Sequence, residues 1–249
     1  MSLTASSRTA VVAEDLRDRG FTLDTDGWAT VARGGPTGLA GVDAPLAVIS
    51  PVNSNPLTVV SAVANAAEDG HVPILVADPQ IENGIESILS EPFLLEGQQA
   101  GGRSFFPIED RIRLPDGSYA CVGTSGQIEW FETSRKATDD PPLVLEVGGE
   151  TVAVLDSVDG LACPGPSVST FQYRYARGED GQFRVSDEDN VVGRYTGVSA
   201  MRADGFRPLP LPLVPEHHVR DHGRLARATV VASVDSADRT VAYRSRSSV

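Results

Sequence analysis

Cysteine is nearly absent from this chain of 249 residues, which has only Cys121 and Cys163, far apart and outside any CxxC pattern. Neither a disulfide framework nor a thiolate zinc cluster is therefore expected. No apolar run approaches the roughly 20 residues that a spanning helix needs, and residues 1–20 lack the basic-then-apolar layout of a signal peptide. The expectation is a soluble, cytoplasmic protein with no membrane partner. Two catalytic signatures are also missing: no G-x-S-x-G nucleophile elbow and no H-E-x-x-H metal motif occur. What is present is an ordinary globular composition, 41% hydrophobic and 22% charged, which excludes a disordered tail, a coiled coil and a collagen-like fibre. A chain of this length buries enough apolar surface without staples, so stability requires no cofactor and none is expected.

Lysine is the other scarcity. Lys136 stands alone beside 20 arginines, and the formal charge is −13. The acidic side leans on short carboxylates such as Asp24, Asp26, Asp139, Asp140, Asp187 and Asp189. This pattern resembles haloarchaeal proteins, whose negative surfaces stay hydrated where molar salt shrinks the screening length to about 3 Å. A GC-rich codon bias would favour arginine equally, and both causes stay open. Residues 1–150 hold 22 acidic and 9 basic side chains, whereas residues 151–249 hold 12 of each. The arginines from Arg174 to Arg246 could meet an acidic partner or pair with local carboxylates.

The spacing predicts a short helix from Arg8 to Arg19, stopped by Gly20, and a hairpin of Phe21–Leu23 with Trp28–Ala32 around Asp24-Thr25-Asp26-Gly27. Pro45–Ser50 reads as a buried strand. Asn55-Pro56 then supplies an N-cap and a first-turn proline for a helix to about Glu68, and Val72–Asp78 reads as a second buried strand. Together these make a βαβ unit with a right-handed crossover. Ile81, Ile85, Ile88 and Leu89 share one face of a further helix closed by Pro92. After residue 102 the period changes to two, giving strands from Ser118–Val122 through Thr240–Arg244, while Arg207–Pro215 reads as an extended strap across the surface. The fold class is therefore mixed α/β: an acidic α/β part over 1–97 and a β-rich part over 103–249, packed as one globular unit.

Strand, loop, helix and then Gly70-His71-Val72-Pro73-Ile74 resembles the opening of RecA-type P-loop ATPases over about 35 residues. The loop Ser50-Pro51-Val52-Asn53-Ser54-Asn55-Pro56 lacks the glycines, lysine and following Ser or Thr of that family's phosphate loop. The resemblance thus implies a degenerate member without ATP hydrolysis. Asn53, Ser54 and Asn55 still sit before a helix N-terminus, where small polar groups can hold a polar or anionic ligand, with Asp78 expected nearby. The same residues could instead merely cap the helix and shape the turn.

Three of the four histidines cluster in the run from His217 to His222. On one helix, His218 and His222 would lie at i, i+4, a spacing able to hold a transition metal. Cys163 could be a reactive thiol only if its pKa were lowered. Tyr173-Arg174-Tyr175 with Phe171 interleaves aromatics and arginine as single-strand platforms do, although alternation along a strand also describes a core. The leading expectation is a non-enzymatic regulatory, interaction or ligand-sensing protein of a halophilic cytoplasm, its partner another protein or a small polar ligand at Asn53–Asn55. One alternative is a metal-dependent hydrolase using the His217–His222 cluster. Another is nucleic-acid binding through the C-terminal arginines, disfavoured because salt weakens phosphate contacts.

Overall fold

A computed structural model describes residues 4–36, 39–99, 102–133, 140–162, 165–219 and 221–245. The chain forms two compact units, one of Met1–Leu94 with Pro215–Val249 and the other of Leu95–Val214.

The first unit opens with α1 (Ala5–Asp18), whose N-cap Thr4 hydroxyl accepts from the Ser7 N–H at 3.2 Å. The hairpin β1 (Thr22–Asp26) and β2 (Ala29–Arg33) follows, turning at Gly27 with φ +57°. The βαβ unit is β3 (Leu46–Ile49), α2 (Pro56–Glu68) and β4 (Val72–Ala77), and then α3 (Glu82–Leu89). All six side chains of β4 are buried, as a strand covered on both faces requires.

The second unit is almost all strand. It runs through β5 (Gly97–Gln99), β6 (Gly102–Phe105), β7 (Pro107–Arg111), β8 (Tyr119–Val122), β9 (Ile128–Glu132), β10 (Leu143–Val147) and β11 (Glu150–Leu155). It continues with β12 (Tyr173–Arg177), β13 (Phe183–Asp187), β14 (Asn190–Tyr195), α4 (Val198–Ala203), β15 (Arg207–Pro208) and β16 (Pro210–Pro212). The chain then returns to the first unit with α5 (Pro215–Val219), α6 (Gly223–Arg227), β17 (Val230–Val234) and β18 (Val241–Ser245).

The first unit's sheet has the order β1-β2-β3-β4-β17-β18. Its middle strands β3, β4 and β17 are parallel and its outer pairs antiparallel. One face presents Leu46, Val48, Ile74, Val76, Val230 and Ala232 to Val11, Val12 and Leu16 of α1. On the other face Ala29 and Ala47 pack against Ala66 of α2, small side chains that let the helix lie close. Two sheets make up most of the second unit, in the orders β11-β10-β9-β6-β5 and β14-β13-β12-β8-β15, with β16 paired to β7. Its core holds fully buried Phe105, Trp130, Leu143 and Leu145, and the Trp130 indole N–H donates to the Pro210 carbonyl at 2.9 Å. Among the described residues, no helix is long and apolar enough to cross a membrane.

Mixed α/β architecture with a strand-rich second part is what the sequence indicates. The two-part division differs at the C-terminus: residues 215–249 complete the first sheet, because β17 pairs in parallel with β4 from Val230 opposite Ile74 to Ser233 opposite Ala77. Periodicity finds a strand but not its partner. The charge asymmetry goes with it. By compact unit, the first carries 16 acidic and 10 basic residues and the second 18 and 11, so both are negative. The proline-rich strap is extended as expected, yet it is interior rather than on the surface: Pro208, Leu209, Pro212 and Leu213 are buried. Proline at alternate positions leaves the N–H groups of Leu209 and Leu213 to bond the carbonyls of Ala120 and Phe106.

If β17 closes the first sheet beside β4, Ile74→Ala and Val230→Ala should each destabilise the protein. The double variant should depart from additivity by about 0.5–3 kcal/mol in a urea-denaturation cycle. Strict additivity would contradict the pairing.

Candidate functional site

At the carboxyl end of β3, the Asn53 side-chain oxygen accepts from the Asn55 N–H at 3.0 Å. That of Asn55 accepts from the Leu57 N–H at 2.9 Å, capping α2. Ser54 lies against Gly84 of α3, where an added Cβ would fall 2.6 Å from its Oγ. The chain brings the three residues together in capping and packing roles. Asp78 pairs elsewhere, with buried Arg8 of α1 at 2.6 Å, and accepts from the Gln80 N–H at 2.9 Å.

The histidines are not on one helix. His217 and His218 belong to α5, which ends at Val219, and His222 is the N-cap of α6. The continuous i, i+4 face that the metal reading needed is not formed, because the chain turns between the two short helices. Burial, and then the neighbouring His217, lower the His218 pKa. Among the described residues, no group of three or more His, Cys, Asp or Glu could hold a metal ion. Burial pushes the Cys121 thiol up to about 12, which makes it inert. Cys163 lies outside the described residues.

Five of the ten described C-terminal arginines take the local option. Arg174 meets Asp116 and Asp189, Arg184 meets Asp180, Arg227 meets Glu91, Arg239 meets Glu14, and Arg244 bridges Glu82 and Glu86. Arg220 and Arg246 lie outside the described residues. Of the aromatics beside Arg174, Tyr175 and Phe171 are buried in two different clusters.

A concavity elsewhere, a cavity of about 420 Å³ on the second unit, is lined by Glu96, Gly102, Arg103, Ser104, Gln127, Glu129, Phe131 and Glu146. Strand alternation builds it. In β9, Trp130 and Glu132 are buried, so Glu129 and Phe131 emerge on the opposite face. The β9–β10 register sets Glu146 directly opposite Glu129, and the β6–β9 register sets Ser104 opposite Phe131. Arg103 is engaged with buried Glu132, its Nε and Nη2 at 2.7 and 2.6 Å from the same oxygen. Among the described residues, Glu96, Glu129 and Glu146 have no ion pair. The Glu96 carboxyl is held above its ordinary range by burial and, next, by the charge of Glu129.

Like charges directly opposed across two strands destabilise a sheet. The groove is thus an electrostatically unbalanced host, with carboxylates, a hydroxyl and a carboxamide to accept from N–H donors and a ring face beside them. Its lining contains no histidine, cysteine or lysine that could serve as nucleophile or proton shuttle. Sequence reading missed these glutamates. The alternation Ile128-Glu129-Trp130-Phe131-Glu132 was visible, but only the register with β10 reveals the opposed pair.

No protein-family model, curated protein or solved structure matches the chain. The groove and the loop therefore stand on their geometry alone.

Two outcomes are expected. Asn55→Ala should lower stability by about 1 kcal/mol in a thermal melt, the ordinary worth of an N-cap. Because folding raises the Glu96 pKa, the folded state binds that proton more tightly. Stability should therefore rise as pH falls from neutrality through the raised pKa, and Glu96→Gln should flatten this part of the Tm–pH profile.

Proposed function

We propose that this is a non-enzymatic binding protein whose second unit takes a cationic group, an amine or guanidinium of a partner, into the glutamate-lined groove. The observation that carries this reading is Glu129 facing Glu146 across β9 and β10, with Glu96 beside them, while Arg103, the arginine of the lining, is engaged with Glu132. A binding cation would turn the repulsion into attraction at short range, and the Phe131 ring offers a face for it. Overall negative charge adds a long-range pull on cationic partners, which fades in salt, whereas contacts inside a concave, partly desolvated groove persist. Residence in a salt-rich cytoplasm, the expectation from composition, belongs to the same proposal.

The test pairs ligand binding with stability, using spermine as the probe. Spermine should raise the Tm of the wild type, by an amount equivalent to about 2.7 kcal/mol at a hundred times its Kd. Glu129→Gln with Glu146→Gln should abolish that rise, while Glu129→Gln alone should stabilise the unliganded protein by about 0.2–1 kcal/mol. Unchanged spermine binding in the double variant would overturn the site. A less stable Glu129→Gln protein would overturn the electrostatic argument.

A further inference from the structure

The other sheet of the second unit carries an aromatic and cationic face around Tyr119, Arg113 and Arg111, residues that neither the single-strand motif at Tyr173–Tyr175 nor the groove includes. Tyr119 of β8 is 37% exposed. Its ring stacks on that of Tyr175 with centroids 5.6 Å apart and planes at 30°, and Phe183 lies 6.2 Å beyond. Tyr175 is itself buried and its hydroxyl accepts from Arg111 Nη1 at 2.8 Å, so the ring beneath Tyr119 is fixed in place.

The cations are set by register. Arg113 bridges directly to Tyr119 in antiparallel sense, so both emerge on one face. Arg111 lies two residues away along the chain, about 7 Å for an extended strand. Arg177 stands opposite Phe183 on the same face. Among the described residues, Arg111, Arg113 and Arg177 have no ion pair, in contrast to Arg174 and Arg184 on the opposite face, each held by aspartates. Of the nine described arginines of this unit, Arg103, Arg174 and Arg184 are ion-paired, and what distinguishes Arg111, Arg113 and Arg177 among the other six is their place around an exposed, pre-stacked ring.

We infer that this face of β8, β12 and β13 binds single-stranded nucleic acid, one unstacked base lying on Tyr119 and successive phosphates meeting Arg113 and Arg111. A ring face accepts any base but only one freed from a duplex, and stacking contributes about ten-fold or more in affinity per base. Two or three phosphate contacts give a modest salt slope, about −0.7 per contact on a single strand. The stacking contribution survives salt better than phosphate contacts do. The chain's overall negative charge opposes a polyanion, so the complex is weak and local. The inference is independent of the cationic-ligand reading, since none of its residues lines the groove.

Fluorescence anisotropy of a labelled ten-residue oligothymidylate, titrated with the full chain across a series of KCl concentrations, tests it. The expected log Kd against log salt has a slope magnitude between about 1.4 and 2.1. Tyr119→Ala should weaken binding about ten-fold or more, whereas Tyr119→Phe, which keeps the ring, should bind like the wild type. Arg113→Gln should reduce the slope by about 0.7, and Arg174→Gln, on the opposite face, should change neither affinity nor slope. No binding of the oligonucleotide at 50 mM KCl would overturn the inference. So would equal affinity of Tyr119→Ala and wild type, or a duplex of the same sequence binding as tightly as the single strand.

Discussion

The parallel pairing of β17 with β4 is the contact on which the architecture depends. It lays Val230–Ser233 along Ile74–Ala77 and so returns the end of the chain to a sheet begun in its first third. With that strand in place, β4 is flanked on both edges, and Ile74, Val76, Val230 and Ala232 share one buried surface with α1. The strand-rich second unit becomes an excursion between α3 and α5, leaving the first unit at Leu94 and rejoining it at Pro215. Closing so long a connection is slow to pay back in contacts, since loop-closure entropy must be met before the last two strands contribute.

Within that excursion, strand alternation separates stability from interaction. The side of β9 that carries Trp130 builds the core and ends in buried Glu132, paired with half-buried Arg103. The side that carries Glu129 and Phe131 meets Glu146 and Ser104, and among the described residues Glu129 and Glu146 make no ion pair. A sequence selected only for stability would not place two glutamates opposite each other there. Local departures of this kind from the rule that sequence, packing and charge agree mark sites of function. The β8–β12 sheet repeats the principle with the opposite sign, Tyr119 and Arg113 exposed above the buried Tyr175 ring.

The first unit was more legible in the sequence than the second. Asn55 and Pro56 announced α2, the apolar runs at 46–49 and 72–77 announced its flanking strands, and Gly27 announced the first hairpin, because each signal is local. The placement of residues 230–234 was not legible, since a buried run carries no mark of its partner. The spacing of His218 and His222 misled for a related reason: it assumes one helix, and Asp221 and His222 lie in a turn ahead of α6. For Asn53, Ser54 and Asn55 the sequence located the turn correctly but not its bonding, which the helix cap and Gly84 largely take up. The groove glutamates were invisible singly, because Glu129 and Glu146 acquire meaning only when the β9–β10 register sets them opposite each other.

The groove, as proposed, holds excess negative charge that a bound cation would balance. A carbon-detected NMR titration of the glutamate side-chain carboxyls, with and without spermine, addresses it most directly. Glu96 is expected to titrate above the usual glutamate range in the free protein, because of its burial and the adjacent Glu129 charge, and to move down when spermine occupies the groove. A Glu96 that titrates at its ordinary value, or one that spermine leaves unmoved while still binding elsewhere, would contradict it.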